Sequence, residues 1–371
     1  MRFGDSETQR LLRSTARSYL AEKFPWERLY ALERGEAQLT DAELQGFADL
    51  GWLSLLAPES AGGGGVSLLE AAVVIEELGY AAVPAPVTAS NIAAYLLAHA
   101  NEELACEHLS ALAAGRRLYT VSEATRRRAG PAHGAAPDPP LSATDGRVSG
   151  TLPLVPFADV AQGVLAPLEI EGQPAFAVIP LEGAGREQVK LLDRSSYCHV
   201  HFEDVELQAS DVLATGEQAE ELRERCDALV TALSLIELAG MLQRILEMTR
   251  DYISHRVQFG QPIAKFQAVR HRAAELLMQT ETTRWAAYHA LWRFQQDPAD
   301  TEEIWLAKHW AVRAADRVYQ ISHLLHGGVG VGMEYPLHLY TQGLAAFSVR
   351  GGTMSEMVDH TIESLKSGKP Q

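Results

Sequence analysis

The stretch Tyr252–Gln267, which reads YISHRVQFGQPIAKFQ, decides how this chain is organised. Its first residues continue a long apolar helix. Residues Gly260–Pro262 are predicted to break that helix, because glycine at a helix end and proline just beyond it stop helices. A second helix is predicted to start at once and to carry Phe266 and Gln267. The stretch therefore predicts a corner between two helices.

The predicted corner brings Arg256 and Phe259 close to Gln267. An arginine side chain can grip a phosphate with two parallel hydrogen bonds, and a phenylalanine ring offers a flat apolar surface. The corner is therefore suited to a ligand that carries both phosphate and a ring system. The alternative is a surface arginine beside an ordinary core phenylalanine, and the corner by itself does not exclude it.

Composition restricts the classes of partner. The 371 residues are enough for two or three domains, and a hydrophobic fraction of 47% is ordinary for a soluble globular protein. The net charge of −16 argues against a nucleic-acid or anionic-membrane partner. The apolar run Leu229–Leu242 is interrupted by Glu237 and is too short to cross a bilayer.

The three cysteines give no metal-ligand spacing and no disulfide framework. Cys106, Cys198 and Cys226 are widely separated, so we expect no metal site and a reducing, cytoplasmic location. The first ten residues have no apolar signal core.

The order of the predicted elements indicates an α+β protein in three domains. Residues 1–116 are predicted to be helical, with helix caps at Asp5 or Ser6, at Thr40 and at Ser67. Residues 117–214 contain short β-like runs between turns, which predict an antiparallel β-barrel or sandwich. Residues 215–371 are again helical, and their apolar stripes predict a four-helix bundle that also makes subunit contacts. The predicted strands include residues 163–166, 175–181, 189–192 and 198–205.

Glycines 62–65 form a second conspicuous run, just before the helix that Ser67 caps. A glycine-rich turn before a helix can cradle a phosphate. The Lys-Ser/Thr pair of a P-loop does not follow it, so a tight loop between two helices is the preferred interpretation.

Several motifs together resemble the acyl-CoA dehydrogenase family. The corner matches the family's Arg-x-x-Phe-Gly turn, which is followed by Phe-Gln. Residues 51–80, GWLSLLAPESAGGGGVSLLEAAVVIEELGY, resemble the N-terminal helical domain, and residues 199–213, HVHFEDVELQASDVL, resemble the end of the middle β-domain. The resemblance covers nearly the whole chain. It implies FAD as cofactor, an acyl-CoA substrate, α,β-dehydrogenation of the CoA thioester and an electron-transfer flavoprotein as acceptor.

The resemblance also assigns positions to the flavin. The run TVSE matches a strand whose backbone and hydroxyl groups contact the isoalloxazine ring, and HLLHGGVG matches a Gln-x-x-Gly-Gly-x-Gly turn with Leu324 in place of its glutamine. Residues 154–156 match a strand behind the flavin but lack its tryptophan and threonine. The implied flavin-binding residues are Val121, Ser122, Arg256, Phe259, Phe266, Gln267, Gly327, Gly328 and Thr353.

The catalytic base is the main departure from the family pattern. The family's usual glutamate position falls on Gly351, and the alternative position on the long helix falls on Val230. Asp227 and Glu237 lie near that second position, although solvated or ion-paired carboxylates are the simpler interpretation of both. The catalytic residue therefore stays unassigned.

Three interpretations follow from the absence of a carboxylate at both base positions. The chain resembles the base-lacking subunit of heteromeric acyl-CoA dehydrogenases of steroid side-chain breakdown, which predicts a homologous partner subunit in a heterotetramer. The first alternative is a homotetramer with an unassigned carboxylate base, and the second is a flavin-free, non-catalytic subunit. Arg126–Arg128 follow the predicted flavin strand and either meet the CoA phosphates or form a solvated loop.

Overall fold

The N-terminal part of the chain is helical, as predicted. The computed structural model describes residues 4–100, 102–122, 141–192, 194–348 and 350. Its first six helices are α1 (Glu7–Lys23), α2 (Trp26–Arg34), α3 (Asp41–Asp49), α4 (Leu68–Ala81), α5 (Val87–Ala98) and α6 (Glu102–Ala113).

Three of these helices begin at the predicted caps. The side chains of Ser6, Thr40 and Ser67 each accept a hydrogen bond from the backbone N–H three residues later, and the side chain of that later residue accepts one from the cap's own N–H. This reciprocal pair satisfies donors that a helix start otherwise leaves without a partner. Of the two candidate caps for α1, Ser6 is the one used.

A mixed sheet follows the first helices. Its strand order is β6-β7-β3-β2-β4-β5-β8, and β1 lies beside β4. The strands are β1 (Tyr119–Val121), β2 (Ser142–Thr144), β3 (Arg147–Pro156), β4 (Gly163–Ile170), β5 (Gln173–Pro180), β6 (Gly185–Lys190), β7 (Ser196–Glu206) and β8 (Val212–Thr215).

Two of the strand pairings differ from the predicted antiparallel sheet. β1 runs parallel to β4 over Gly163–Leu165, and β2 runs parallel to β4 over Glu169–Ile170. The two short strands therefore occupy successive parts of one edge of β4. A hydrophobic pattern predicts that a strand exists but carries no information about its direction. Parallel partners need a long connection between them, and residues 122–162 separate β1 from β4.

The C-terminal part is built around one very long helix. α7 has 39 residues, which corresponds to roughly 58 Å. It contains the one window in the described chain that is long and apolar enough to span a bilayer, and 78% of that window is buried against other elements, as in a core helix. The helices here are α7 (Glu217–His255), α8 (Gln267–Gln296), α9 (Glu302–His326), α10 (Gly328–Val331) and α11 (Leu337–Phe347).

Two glycines let α4 and α7 cross with their backbones in contact. A Cβ added to Gly79 would lie 1.9 Å from the carbonyl oxygen of Glu237, and a Cβ added to Gly240 would lie 1.9 Å from that of Glu76. No side chain fits at either position. This crossing fixes the middle of α7 against the N-terminal helices. The domain limits at 116/117 and 214/215 stay a prediction.

Two adjacent glutamates of α4 tie distant helices together. Glu77 is 1% exposed and accepts hydrogen bonds from Arg13 and Arg17 of α1 at 2.7–2.9 Å. Glu76 is 3% exposed and accepts hydrogen bonds from Arg284 of α8. Each buried carboxylate is thus matched by guanidinium groups, which is the condition under which buried charge is tolerated. We call this set the α4 ion cluster.

The electrostatics of the cluster favour ionised Glu76. Burial alone would raise the pKa of Glu76, but hydrogen bonding and charge from Arg284, the charge of Arg13 and a hydrogen bond from the Tyr288 hydroxyl hold it below its usual value. Burial and the neighbouring Glu76 carboxylate raise the pKa of Tyr288 well above its usual value. The tyrosine therefore stays a hydrogen-bond donor to the carboxylate.

Candidate functional site

The helix corner contains a small β-hairpin that the sequence analysis did not predict. α7 ends at His255, so the predicted break at Gly260–Pro262 is wrong in position. Strands β9 (Val257–Gln258) and β10 (Gln261–Pro262) pair antiparallel, and their turn projects from the corner. α8 then begins at Gln267, which is exposed. α7 ends before Gly260 because residues 257–258 and 261–262 pair as strands and do not continue the helix.

The tip of this hairpin holds an aromatic side chain in an unfavourable backbone conformation. Phe259 has φ 54° and Gly260 has φ 77°, as in a tight hairpin turn that normally carries Asn-Gly. A bulky residue in the left-handed region is strained, and such strain clusters at functional sites. The Phe259 side chain is 92% exposed, and its ring meets the edge of Phe266 at a centroid distance of 6.0 Å. The hairpin therefore presents a ring to the outside.

Arg256 lies at the base of the hairpin with its side chain exposed. Its backbone N–H donates to the Tyr252 carbonyl at 2.8 Å, and its carbonyl accepts from the N–H of Ile263 at 2.9 Å. These bonds fix the backbone on both sides. The guanidinium makes no ion pair within the described part of the chain, so it is available to an anionic group.

The predicted glycine turn connects α9 to α10. Gly327 has φ 58° and ψ −139°, a conformation that favours glycine, and its N–H donates to the His323 carbonyl. A Cβ at Gly327 or Gly328 would meet nothing within 4 Å, and both residues are exposed. The turn therefore offers open backbone. Leu324, in place of the family's glutamine, is 66% exposed.

Aromatic packing brings the hairpin and the glycine turn to the same end of the bundle. The Tyr252 ring stacks on the ring of His326 with centroids 4.6 Å apart, and the Tyr335 hydroxyl lies 3.2 Å from Nε2 of His326. Burial lowers the pKa of His326, so its imidazole is neutral at neutral pH. The structure thus groups Arg256 and Phe259 with Gly327 through the last turns of α7 and α9.

The end of β1 forms a separate group. Val121 and Ser122 are both fully buried, and the Ser122 N–H donates to the Leu165 carbonyl at 3.0 Å. The Ser122 Oγ is buried and has no hydrogen-bond partner among the described residues. A buried hydroxyl without a partner is costly, so a bound ligand that hydrogen-bonds to it is a natural explanation.

The matched segment 154–156 lies beside this strand. The Thr120 hydroxyl donates to the Pro156 carbonyl at 2.6 Å. Leu154 has φ 50°, so the position that corresponds to the family's tryptophan-bearing strand is locally strained. The structure therefore brings the end of β1 and residues 154–156 together, and their contact with a flavin stays a prediction.

Sequence reasoning missed two polar residues next to this group. Oδ1 of Asp159 and Oγ of Ser196 are also buried, and the described part of the chain gives neither atom a hydrogen-bond partner. The Phe157 N–H donates to the Ser196 carbonyl at 2.7 Å, which places both residues beside the turn after β3. Neither residue belongs to a motif, and only the fold shows that their oxygens are buried, so no sequence signal could have identified them.

The glycine run 62–65 is a structural loop, as preferred. The N–H groups of these glycines donate to the carbonyls of Glu59, Pro58, Ser54 and Ala57 in turn. A Cβ on Gly63 would lie 2.4 Å from the Ala57 carbonyl oxygen. The amides are already used and the backbone is tightly packed, so the loop has no free donors for a phosphate.

No base stands at the second family position. Val230 is 4% exposed on α7. Asp227 pairs with Arg223 at 3.1 Å, and Glu237 pairs with Arg350 at 3.5 Å. Both neighbouring carboxylates are therefore held by arginines of the same chain.

Some sequence predictions concern residues outside the described ranges. These are Gly351, Thr353 and the cationic run Arg126–Arg128.

The two described groups have different chemistry. The end of β1 offers an apolar wall and a buried hydroxyl that no described residue hydrogen-bonds, which suit a flat ring with polar edges. The hairpin and the glycine turn offer a free guanidinium, an exposed ring and open backbone, which suit phosphate and a nucleoside. The hairpin packs against α7, while β1 packs against β3, β4 and α5, so different parts of the fold carry the two groups.

Two models of one protein family match this chain, one near each end. The model described as "Acyl-CoA dehydrogenase, N-terminal domain" matches residues 6–116. The model described as "Acyl-CoA dehydrogenase, C-terminal domain" matches residues 231–365.

Curated relatives and solved structures agree. Acyl-CoA dehydrogenase FadE27 of Mycobacterium tuberculosis is 30% identical, with 79% of each chain covered, and FadE28 of the same organism is 29% identical, with 78% of this chain and 82% of the relative covered. A chain of the M. tuberculosis ChsE4–ChsE5 complex superposes with a TM-score of 0.87 at 26% identity over 100% of both chains. The steroid ACAD Tcur3481–Tcur3483 gives a TM-score of 0.85 at 25% identity over 98% of both.

Proposed function

The chain belongs to the acyl-CoA dehydrogenase family, and from that premise we propose that it is the base-lacking subunit of a heteromeric enzyme. The family uses FAD and oxidises the Cα–Cβ bond of a CoA thioester. In the proposed assembly this chain completes the flavin site, and a homologous partner subunit supplies the carboxylate that removes the α-proton.

The chain's own residues would hold the cofactor at two places. The Ser122 hydroxyl and N–H, with Val121, would line the flavin ring; Thr353 joins them by resemblance alone. Arg256, Phe259, Phe266, Gln267, Gly327 and Gly328 would hold the phosphate and adenosine end. FAD held by these residues would supply the hydride acceptor for the reaction. The buried Ser122 group would exclude water from the ring, and the exposed Arg256 would neutralise phosphate charge.

The proposal depends on the absence of a carboxylate where the family places its base. Position 351 is glycine and position 230 is a buried valine. Proton removal from the α-carbon needs a basic group within hydrogen-bonding reach of that proton. A glycine and a valine cannot provide one, so the proton acceptor must come from elsewhere.

The names of similar proteins support a second subunit. The ChsE4–ChsE5 and Tcur3481–Tcur3483 structures are each named as pairs, and the second is named a steroid ACAD. We therefore propose a bulky, steroid-type acyl-CoA as substrate, a heterotetramer, an electron-transfer flavoprotein as acceptor and a cytoplasmic location. Cys106, Cys198 and Cys226 all lie in the described residues and form no disulfide with one another, which supports a reducing compartment.

An activity assay with and without a partner tests the proposal. The chain alone should not reduce a dye acceptor with steroid-type acyl-CoA substrates. Co-expression with a homologous subunit that carries the glutamate should restore the reaction, and changing that glutamate to glutamine should abolish it again. Full activity of this chain alone would overturn the proposal.

A self-sufficient homotetramer is the second candidate, because Asp227 and Glu237 are carboxylates close to position 230. Their pairing with Arg223 and Arg350 argues for structural roles. Asp227→Asn and Glu237→Gln, made separately in the active form, decide between the candidates. Loss of a true base lowers the rate by orders of magnitude at unchanged flavin content. A flavin-free subunit would be recognised by a stable but colourless assembly.

A further inference from the structure

A buried histidine links helix α6 to the sheet at the start of strand β1. His108 is 5% exposed, and each nitrogen of its ring faces a different side chain. Nδ1 lies 2.9 Å from the Tyr119 hydroxyl, and Nε2 lies 3.3 Å from Oδ1 of Asp211. None of these three residues is among the flavin-binding residues that the family resemblance implies. The contacts nevertheless reach the strand that carries two of those residues.

The chemistry of the two neighbours sets the direction of both contacts. A carboxylate accepts hydrogen bonds and cannot donate them, so Asp211 favours the form of His108 that carries its hydrogen on Nε2. Oδ2 of Asp211 accepts from the Gln208 N–H at 3.1 Å, which holds the carboxylate in place. Burial raises the pKa of Tyr119 despite the nearby Arg117 guanidinium, so the phenol keeps its proton at neutral pH. The Tyr119 hydroxyl therefore donates to Nδ1.

Side-chain hydrogen bonds hold strand β1 on both of its faces. The strand has only three residues, and successive side chains of a strand point to opposite faces. On one face, the Tyr119 hydroxyl is bound by His108. On the other face, the Thr120 hydroxyl donates to the Pro156 carbonyl at 2.6 Å. The two bonds together fix the rotation of β1 about its own axis, and with it the direction of the Ser122 side chain at its end.

We propose that His108 is a positioning residue for the flavin site: it holds Tyr119 so that the buried Ser122 hydroxyl points at the flavin ring. Asp211 orients His108 for this role. The inference rests on the proposed function, in which the end of β1 lines the ring. Three strand residues of rise, about 10 Å, separate Tyr119 from Ser122, so His108 acts through the strand and not by touching the cofactor.

Two replacements separate the roles of the two ring nitrogens. His108→Gln places its amide near the position of Nε2 and no polar atom at Nδ1, so the bond to Tyr119 is lost. His108→Asn places its carbonyl oxygen near Nδ1 and keeps that bond. Amide hydrogen exchange of the full-length chain without FAD should be about tenfold faster at residues 119–122 in His108→Gln, and His108→Asn should match wild type.

Residues 175–179 of β5 are the internal control and should exchange at the same rate in all three proteins. A histidine that only stabilises the whole fold would speed up exchange in both segments of His108→Gln. Faster exchange of both segments would therefore overturn the proposal, as would equal exchange of residues 119–122 in His108→Gln and wild type.

A titration with FAD connects the strand to the cofactor. In the complex with a homologous, glutamate-bearing subunit, FAD should bind about tenfold more weakly when this chain carries His108→Gln, and His108→Asn should again match wild type. Unchanged FAD binding by His108→Gln would overturn this inference and leave the proposed function intact. A wild-type complex that binds no FAD would instead overturn the proposed function itself.

Discussion

The α4 ion cluster and the β9–β10 hairpin differ in how their charged and aromatic side chains are placed. In the cluster, Glu76 and Glu77 are almost fully buried and are paired with guanidinium groups of α1 and α8. In the hairpin, Arg256 is exposed without an ion pair in the described chain, and Phe259 is 92% exposed at φ 54°. The first region is complete within one chain, whereas the second is not.

The difference separates arginines that pair with buried carboxylates from an arginine that makes no ion pair in the described chain. The cluster contains more charged groups than the hairpin. Its carboxylates and guanidinium groups all lie on α1, α4 and α8 of the same chain, so the cluster has a structural role, which is to link these helices. The hairpin combines strain with unused binding capacity, and neither contributes to the stability of this chain. The proposed interaction with a cofactor or another subunit would explain both. The predictions below test this division.

The largest expected effect is the loss of a cluster carboxylate. Glu76→Ala leaves Arg284 and Arg13 without their shared partner, and breaking a buried pair in this way costs about 3–5 kcal/mol of unfolding free energy. Urea unfolding followed by circular dichroism measures it. Glu27→Ala, in the exposed first turn of α2, is the control and should change stability by less than about 0.5 kcal/mol. If the two variants were equally stable, the claim that the cluster stabilises the fold would be contradicted.

The helix crossing beside the cluster gives the next largest effect. Gly240→Ala would push a methyl group against the Glu76 carbonyl oxygen, which cannot move independently, so a loss of about 1–3 kcal/mol is expected. Gly343→Ala is the matched control on a helix, because its Cβ would meet the flexible thioether of Met241 at 2.9 Å. Thermal unfolding of both variants measures the difference. A Gly343→Ala protein that is the less stable of the two would contradict the backbone-contact argument.

The hairpin predicts that stability and function move in opposite directions. Phe259→Gly removes a left-handed non-glycine residue, so it should leave stability unchanged or raise it by up to about 1–2 kcal/mol. The same change removes the exposed ring, so less FAD should remain per chain after gel filtration of the complex that is co-expressed with the homologous subunit. Phe259→Leu keeps the backbone strain and part of the apolar surface, and serves as the control. If Phe259→Gly retained all of its FAD, the proposed contribution of the Phe259 ring to FAD binding would be contradicted.

The smallest effect concerns pH at the junction behind the hairpin. Burial lowers the pKa of His326 below the usual value of 6.5, so the unfolded chain binds more protons than the folded chain as the pH falls below 6.5. The free energy of unfolding should therefore decline as the pH falls below 6.5. His326→Gln should flatten this decline, and the exposed control His271→Gln should not. Urea midpoints at several pH values measure it; parallel curves for both variants would contradict the assignment.

Local chemistry decides which features the sequence could predict. The caps Ser6, Thr40 and Ser67 and the long helix α7 depend on neighbouring residues, and all were predicted. Their signals are complete within a few turns of chain. The motif match also led to the acyl-CoA dehydrogenase fold, which the comparisons confirm.

The missed features depend on distant partners or on unusual backbone. Glu76 meets Arg284 across 208 positions, so no local pattern shows the pair. The β9–β10 hairpin has Phe-Gly at its turn where the usual signal is Asn-Gly, so its sequence indicates a helix break and not a hairpin. The parallel pairing of β1 and the unsatisfied Oγ of Ser122 follow from the packing of the sheet.

The ratio of FAD to chain, read from the visible spectrum, tests the central claim most directly. It should be measured on this protein expressed alone and again after co-expression with a homologous, glutamate-bearing subunit. The account predicts a ratio near zero alone and about one FAD per two chains in the complex, since each composite site then needs both subunits. A ratio of about one FAD per chain for the protein alone would contradict it and would favour the self-sufficient homotetramer.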